Sequence, residues 1–192
     1  IVNDAWWSVL SKIREQSKED AIVNSWWDFG HHFKYISDRA VTSDGAVQNS
    51  PQAHWVGKVL QTTSEKEAVD ILRMLDCGAN SAQGALFNET NDSYRSIMLT
   101  KQIIGLDRSG AEALLAKEGL SQEVLKYTHC SPPENFLITS QDMTGKAGVW
   151  AHFGLWDFAR AEVWQKWRLL PEGEAVPQMM SRFNWSREDA ES

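Results

Sequence analysis

Six residues, Ser25-Trp26-Trp27-Asp28-Phe29-Gly30, restrict local folding more than any other stretch of the chain. Two adjacent tryptophans satisfy neither simple period: on a half-buried strand they point to opposite faces, and on a helix they stand about 100° apart. At least one indole therefore has a task besides filling a core. Gly30 opens backbone angles closed to other residues, which suits a turn presenting Trp27 and Asp28 at an exposed edge. On local grounds the alternative is that Trp-Trp-Asp ends a buried strand and Asp28 caps a helix running through His31-His32-Phe33-Lys34-Tyr35-Ile36. Ala21-Ile22-Val23, short and β-branched, is the strand that delivers the motif. Histidines at i and i+1 diverge on a helix, unlike the i, i+4 pair of a zinc protease, so no metal site is assigned to His31 and His32.

The rest of the chain reads as mostly helical. Trp6, Leu10 and Ile13 share one face of a helix over 3–17, with Asn3 or Asp4 as its cap. Residues 38–51 are turn-rich, with Asn49-Ser50-Pro51 marking loop, and 54–61 is helical. Ser64 and Glu67 form a capping box for a helix with Ala68, Ile71, Leu72 and Leu75 on one face, stopped by Cys77-Gly78. A small-residue loop over 78–84 precedes a helix over 92–104. Ser109 and Glu112 repeat the box before a helix closed by Gly119, and Ser121 caps residues 123–129. Phe136-Leu137-Ile138-Thr139 is a second strand able to pair with the first. Residues 143–154 and 156–170 are helices, the latter turning Trp156, Val163, Trp164 and Trp167 to one face, and the polar end over 181–192 is disordered. The fold class is α+β and helix-dominated: one compact domain of about eight helices with two or three short strands, globular over 1–170 and followed by a tail over 171–192.

The second chemically loaded stretch is Asp142-Met143-Thr144-Gly145-Lys146-Ala147-Gly148-Val149-Trp150. On a helix, Asp142 and Lys146 meet at i, i+4, and Met143, Lys146 and Trp150 share a face, so a cation sits beside soft and aromatic surface. An ordinary surface ion pair worth a few tenths of a kcal/mol accounts for the charges. Two glycines in an otherwise apolar helix are costly unless close approach or a kink is wanted.

Composition narrows the partners. A net charge of −7 and a pI near 5.2 exclude nucleic acid, whose phosphates call for clustered Lys and Arg. Ten tryptophans suit contact with something semi-polar: a peptide, a sugar or a lipid headgroup zone. No stretch approaches the roughly 20 apolar residues of a membrane helix, and Ile1 follows no methionine or signal peptide, so the sequence reads as an excised soluble piece.

Trp26-Trp27-Asp28-Phe29-Gly30 resembles the Trp-Trp-Asp-Tyr-Gly signature of oligosaccharyltransferase catalytic subunits, with Phe29 in place of the tyrosine. The residues before it and the stretch from Arg39 to Asn49 resemble the extracytoplasmic C-terminal domain of archaeal members, over most of 1–170. Met143-x-x-Lys146-x-x-x-Trp150 is similar to that family's kinked-helix motif, usually Asp-x-x-Lys, whereas here Asp142 lies one residue early. The resemblance implies a domain that recognises Asn-x-Ser/Thr acceptors for a membrane enzyme transferring a lipid-linked oligosaccharide to asparagine. It implies acceptor binding by Trp26, Trp27, Asp28, Phe29, Gly30, Asp142, Met143, Lys146 and Trp150. No catalytic residue and no metal are expected in this piece; a divalent metal, Mn or Mg, is implied for the full enzyme. The implied location is the extracytoplasmic face of a membrane. There Cys77 and Cys130 form either one disulfide or two buried thiols. Sequons at Asn88, Asn91 and Asn184 face the same compartment. The rival reading is a non-catalytic carbohydrate-binding module.

Overall fold

A computed structural model describes residues 2–48 and 50–191; Asn49, read as loop, and Ser192, at the end of the polar tail, lie outside the described residues. Among these the order is α1 (Asp4–Gln16), β1 (Ile22–Asn24), a 3-10 turn (Trp27–Phe29), α2 (Gly30–Ser37), β2 (Ala40–Val41), α3 (Pro51–Gln61), α4 (Glu65–Gly78), α5 (Ser81–Thr90), α6 (Ser93–Gly105) and α7 (Arg108–Glu118). It continues with α8 (Leu125–Thr128), β3 (Asn135–Leu137), α9 (Gln141–Thr144), α10 (Ala147–Gly154), α11 (Phe158–Lys166), α12 (Glu172–Phe183) and α13 (Arg187–Glu191). The helix-dominated α+β class is the expected one. Thirteen helices stand where about eight were read, because several run only four or five residues. No helix among the described residues is long and apolar enough to cross a membrane.

Two compact units appear, Ile1–Leu155 and Trp156–Ser192, so the division falls ahead of residue 170. In the first unit, β1 is central in a parallel sheet of order β2-β1-β3, with Val23 opposite both Val41 and Phe136. Parallel neighbours need a crossover, and α2 supplies the one between β1 and β2. Leu10 and Ile13 of α1, Val23 of β1, and Phe33 and Ile36 of α2 form one buried cluster. Asn3 starts α1 by accepting the Trp6 amide at 2.9 Å. The other end is closed by a buried cation: the Arg39 guanidinium donates to the Arg14 and Ser17 carbonyls at 2.8 and 2.9 Å, where the helix leaves acceptors unpaired.

Several local expectations give way to longer-range partners. Ser64 accepts the Glu67 amide at 3.2 Å, but the Glu67 carboxylate takes the Thr62 hydroxyl, so the box is half formed. The cap of α7 is Asp107, which accepts the Gly110 amide at 2.7 Å, while Glu112 pairs with Arg108. The expected loop over 78–84 is mostly α5, which buries Ala82 and Leu86 despite its weak propensity; Asn88 is therefore helical, and Asn91 is the exposed left-handed cap after it. Cys77 and Cys130 are bonded, Cα atoms 6.0 Å apart, closing a loop with a sequence separation of 53 residues. Closing a loop of that size stabilises by about 4 kcal/mol on a chain-entropy estimate.

The second unit overturns the disordered tail. Pro171 opens α12, and Ala175, Val176 and Met179 join Trp167 and Ala190 in a small core. Buried Glu162 accepts the Arg182 guanidinium at 3.0 Å through both carboxylate oxygens. Trp167 is buried, but Trp156 and Trp164 are exposed: α11 begins only after Asp157 caps it, and Arg168 lies over the Trp164 ring.

Candidate functional site

The central strand ends by driving its aromatic pair inward. The Ser25 hydroxyl donates to the Ile138 carbonyl at 2.8 Å, prolonging the contact with the β3 chain. Trp26 and Trp27 stack with centroids 3.9 Å apart, and the Phe153 ring meets Trp27 edge-on at 5.0 Å. Trp27 is 8% exposed, so the turn does not present it at an open edge. Burying indole surface and gaining ring contacts outweighs any local preference for a solvent-facing turn. Nor is Gly30 there for unusual angles. Its φ is −53°, and the constraint is space: an added Cβ would lie 2.1 Å from the Ser43 carbonyl oxygen.

Asp28 does not cap α2, whose first position follows Phe29 without any side-chain cap. Its carboxylate accepts instead from the Lys146 ammonium at 2.5 Å, a charge-assisted bond between residues 118 positions apart. Lys146 sits in the break between α9 and α10, so the expected helix over 143–154 is two helices with Gly145 and Lys146 at the kink. The same ammonium lies 4.8 Å from the Phe29 ring centre and 3.9 Å from the Asp142 carboxylate. A cation over an aromatic face and between two carboxylates is held from three sides. Met143 is buried beneath, and the Trp150 indole N–H donates across the kink to the Met143 carbonyl at 3.0 Å. Trp6 closes the far side of Phe29, ring centres 4.4 Å apart. All nine residues proposed from the sequence thus belong to two adjoining segments; Asp28, Phe29, Asp142 and Lys146 touch directly, and Trp26 and Trp27 lie behind them.

The residues that fix those segments carry no motif of their own. Gly154 of α10 lies against Gly57 of α3 so closely that a Cβ on it would come 2.4 Å from the Gly57 backbone. Beside that contact, His54 Nδ1–H donates to the Phe153 carbonyl at 2.8 Å. Burial pushes His54 down to about 4, so the ring is neutral there. A glycine within α3 and another closing α10 are the available signal. Under β1, Asn24 donates to Asp76 of α4 at 3.0 Å and accepts from the Thr42 hydroxyl at 2.7 Å. Burial raises Asp76 to about 6, although the Asn24 bond works the other way. Among the described residues no three His, Cys, Asp or Glu side chains converge to hold a metal ion. The cation at this site is a lysine.

Comparison with known proteins places this geometry in context. The family described as the STT3/PglB/AglB core domain matches residues 18–160. A dolichyl-phosphooligosaccharide-protein glycotransferase of Methanocaldococcus jannaschii is 36% identical over 167 residues, spanning 82% of this chain and 18% of that protein. One of Methanococcus voltae is 34% identical, over 81% of this chain and 18% of its own length. The chain therefore covers under a fifth of these relatives. A solved C-terminal domain of C. jejuni pglb aligns with a TM-score of 0.49 and 19% identity, over 77% of this chain and 52% of that one.

Proposed function

Since this chain belongs to the STT3/PglB/AglB core-domain family, we propose that it is the acceptor-recognition part of an oligosaccharyltransferase, reading the Ser/Thr of Asn-x-Ser/Thr for a lipid-linked glycan donor. The observation that carries the reading is the Asp28–Lys146 pair. It joins the two motifs at one point and leaves 28% of the Asp28 side chain accessible. An incoming hydroxyl donates to the carboxylate, while the ammonium balances a charge that the peptide would otherwise strip of water. Phe29 and the half-buried Trp150 offer apolar surface for a threonine methyl. A site built around one hydroxyl rejects an analogue lacking it, because its own polar groups are left unpaired.

Glycan transfer belongs to the whole enzyme, on the extracytoplasmic face of its membrane. The divalent metal implied for such enzymes finds no fitting donor set among the described residues here, so no step of this recognition runs through it. The 192-residue chain alone is expected to form no glycopeptide from lipid-linked donor, because the groups that activate the asparagine amide and the leaving phosphate belong to the rest of the enzyme.

The test is calorimetric titration with Asn-x-Thr and Asn-x-Val peptides. Wild type binds the first at least tenfold better, and Asp28→Ala abolishes the preference, a loss of about 1.4 kcal/mol or more. Asp20→Ala, at an exposed carboxylate just before β1, is the control. Equal binding of the two peptides by wild type sinks the reading.

A further inference from the structure

Trp7 and Tyr35 take no part in the core or in the acceptor site. Trp6 turns onto Phe29 and Phe33, and its neighbour Trp7, rotated by one helical step, stays 58% exposed. Tyr35 stands 83% exposed between buried Phe33 and Ile36. Together they flank the cleft where α1 meets α2. Both rings line a groove of about 580 Å³ that also holds Asp4, His31 and His32. Both line a second groove of about 730 Å³, bordered by Arg14, Glu15, Lys34 and Asp38. Two aromatic faces thus mark the junction of two grooves, each edged with hydrogen-bonding side chains.

We propose that this α1–α2 cleft binds an oligosaccharide, with Trp7 and Tyr35 stacking on sugar rings and Asp4, Arg14 and Glu15 taking their hydroxyls. The chemistry matches on both counts. A pyranose has apolar C–H faces that suit an aromatic ring and a rim of hydroxyls that suit carboxylate, guanidinium and imidazole groups. An anionic lipid surface suits it less well, since Asp4, Glu15 and Asp38 outnumber the cations Arg14 and Lys34 along the cleft and the chain carries a net charge of −7. The cleft also adjoins the acceptor site: α2 starts at Gly30, directly after the Asp28 turn, and the His32 and Trp6 rings both meet Phe29. The inference rests on the transferase reading above, in which the bound sugar is the donor's glycan held beside the acceptor.

The experiment titrates the 192-residue chain with chitotriose and with mannotriose, read by calorimetry and saturation-transfer NMR, alongside phosphatidylglycerol vesicles and the Asn-x-Thr peptide. Saturable millimolar binding of either sugar is expected, weakened about tenfold in Trp7→Ala and in Tyr35→Ala and largely kept in Trp7→Phe. Both alanine variants bind the peptide as wild type does, and Asp28→Ala binds the sugar as wild type does. No sugar binding, or binding indifferent to both alanine variants, overturns the proposal. So does vesicle binding that needs Trp7 when neither sugar binds, which would assign the cleft to a membrane surface. Loss of wild-type peptide selectivity with sugar binding intact overturns the acceptor reading instead.

Discussion

The two segments that meet at Asp28 and Lys146 are built in opposite ways. Residues 25–30 end the central strand, with Trp26 and Trp27 buried and Gly30 allowed no Cβ at all. Residues 142–154 lie mostly near solvent: Met143 and Gly154 are their buried members, and a Cβ on Gly148 would meet nothing within 4 Å. That segment packs along α3 from Trp150 to Gly154: a Cβ on Gly57 would lie 2.6 Å from the Trp150 carbonyl oxygen and 2.7 Å from the Gly154 nitrogen, and His54 holds the Phe153 carbonyl. Packing thus fixes the carboxylate from behind, whereas the ammonium projects from the break just ahead of α10. A recognition site divided this way has one wall built into the sheet and one carried on the packing of two helices.

Glycine substitution breaks the comparison most sharply. Gly30→Ala forces a methyl group into the Ser43 carbonyl and the Asp44 backbone, so unfolding free energy falls by about 3 kcal/mol or more. Gly148→Ala enters open space in a helix and is neutral to stabilising by up to about 1 kcal/mol. Urea unfolding of both variants is the measurement. Equal losses would mean that the two walls are packed alike.

A comparable effect, visible only against pH, comes from the buried group behind each wall. His54 is lowered to about 4, so the unfolded chain binds a proton the folded one refuses, and its contribution is lost as pH falls from 6.5 toward 4. Asp76 is raised to about 6, so its sign is opposite: the folded chain holds a proton the unfolded one releases, and stability is lost as pH rises from 3.8 through 6. Each shift corresponds to about 3 kcal/mol, and in the wild type the two nearly cancel between neutral pH and 4. Asp76→Asn removes one partner. Its stability relative to wild type then falls by about 2 kcal/mol on acidification across that window, and parallel profiles for the two proteins would refute the assignment.

Much of this was readable in the sequence, and the failures share one cause. Helix α4 was legible because Ile71 and Leu75 keep the helical period behind a Ser64 cap, and β1 and β3 because short branched and aromatic runs favour strands. Gly145 and Gly148 signalled the kink at Lys146. Local rules misplaced Asp28, giving it the nearest free amides as partners when its ammonium lies 118 residues away. They also misplaced Trp27, whose burial depends on Phe153, and α5, whose small residues pack only because α6 and α8 cover them. No spacing rule decides a disulfide across 53 residues.

The smallest expected effect concerns the one position of the first motif that departs from the Trp-Trp-Asp-Tyr-Gly signature. A tyrosine there would offer a phenol, and Phe29 offers only a ring. In this chain the ring already has two neighbours: the Lys146 ammonium 4.8 Å from its centre and the Trp6 edge at 4.4 Å. Both contacts use the π system, which phenylalanine and tyrosine share. If holding the ammonium is what position 29 does, Phe29→Tyr changes unfolding free energy by less than about 0.5 kcal/mol and Asn-x-Thr affinity by less than about threefold. Phe29→Leu keeps apolar bulk but removes the ring face, and it weakens the peptide by about 1 kcal/mol through the loosened lysine. A tenfold gain from tyrosine would show that the hydroxyl matters, and would make the wall built into the sheet chemically incomplete as this chain carries it.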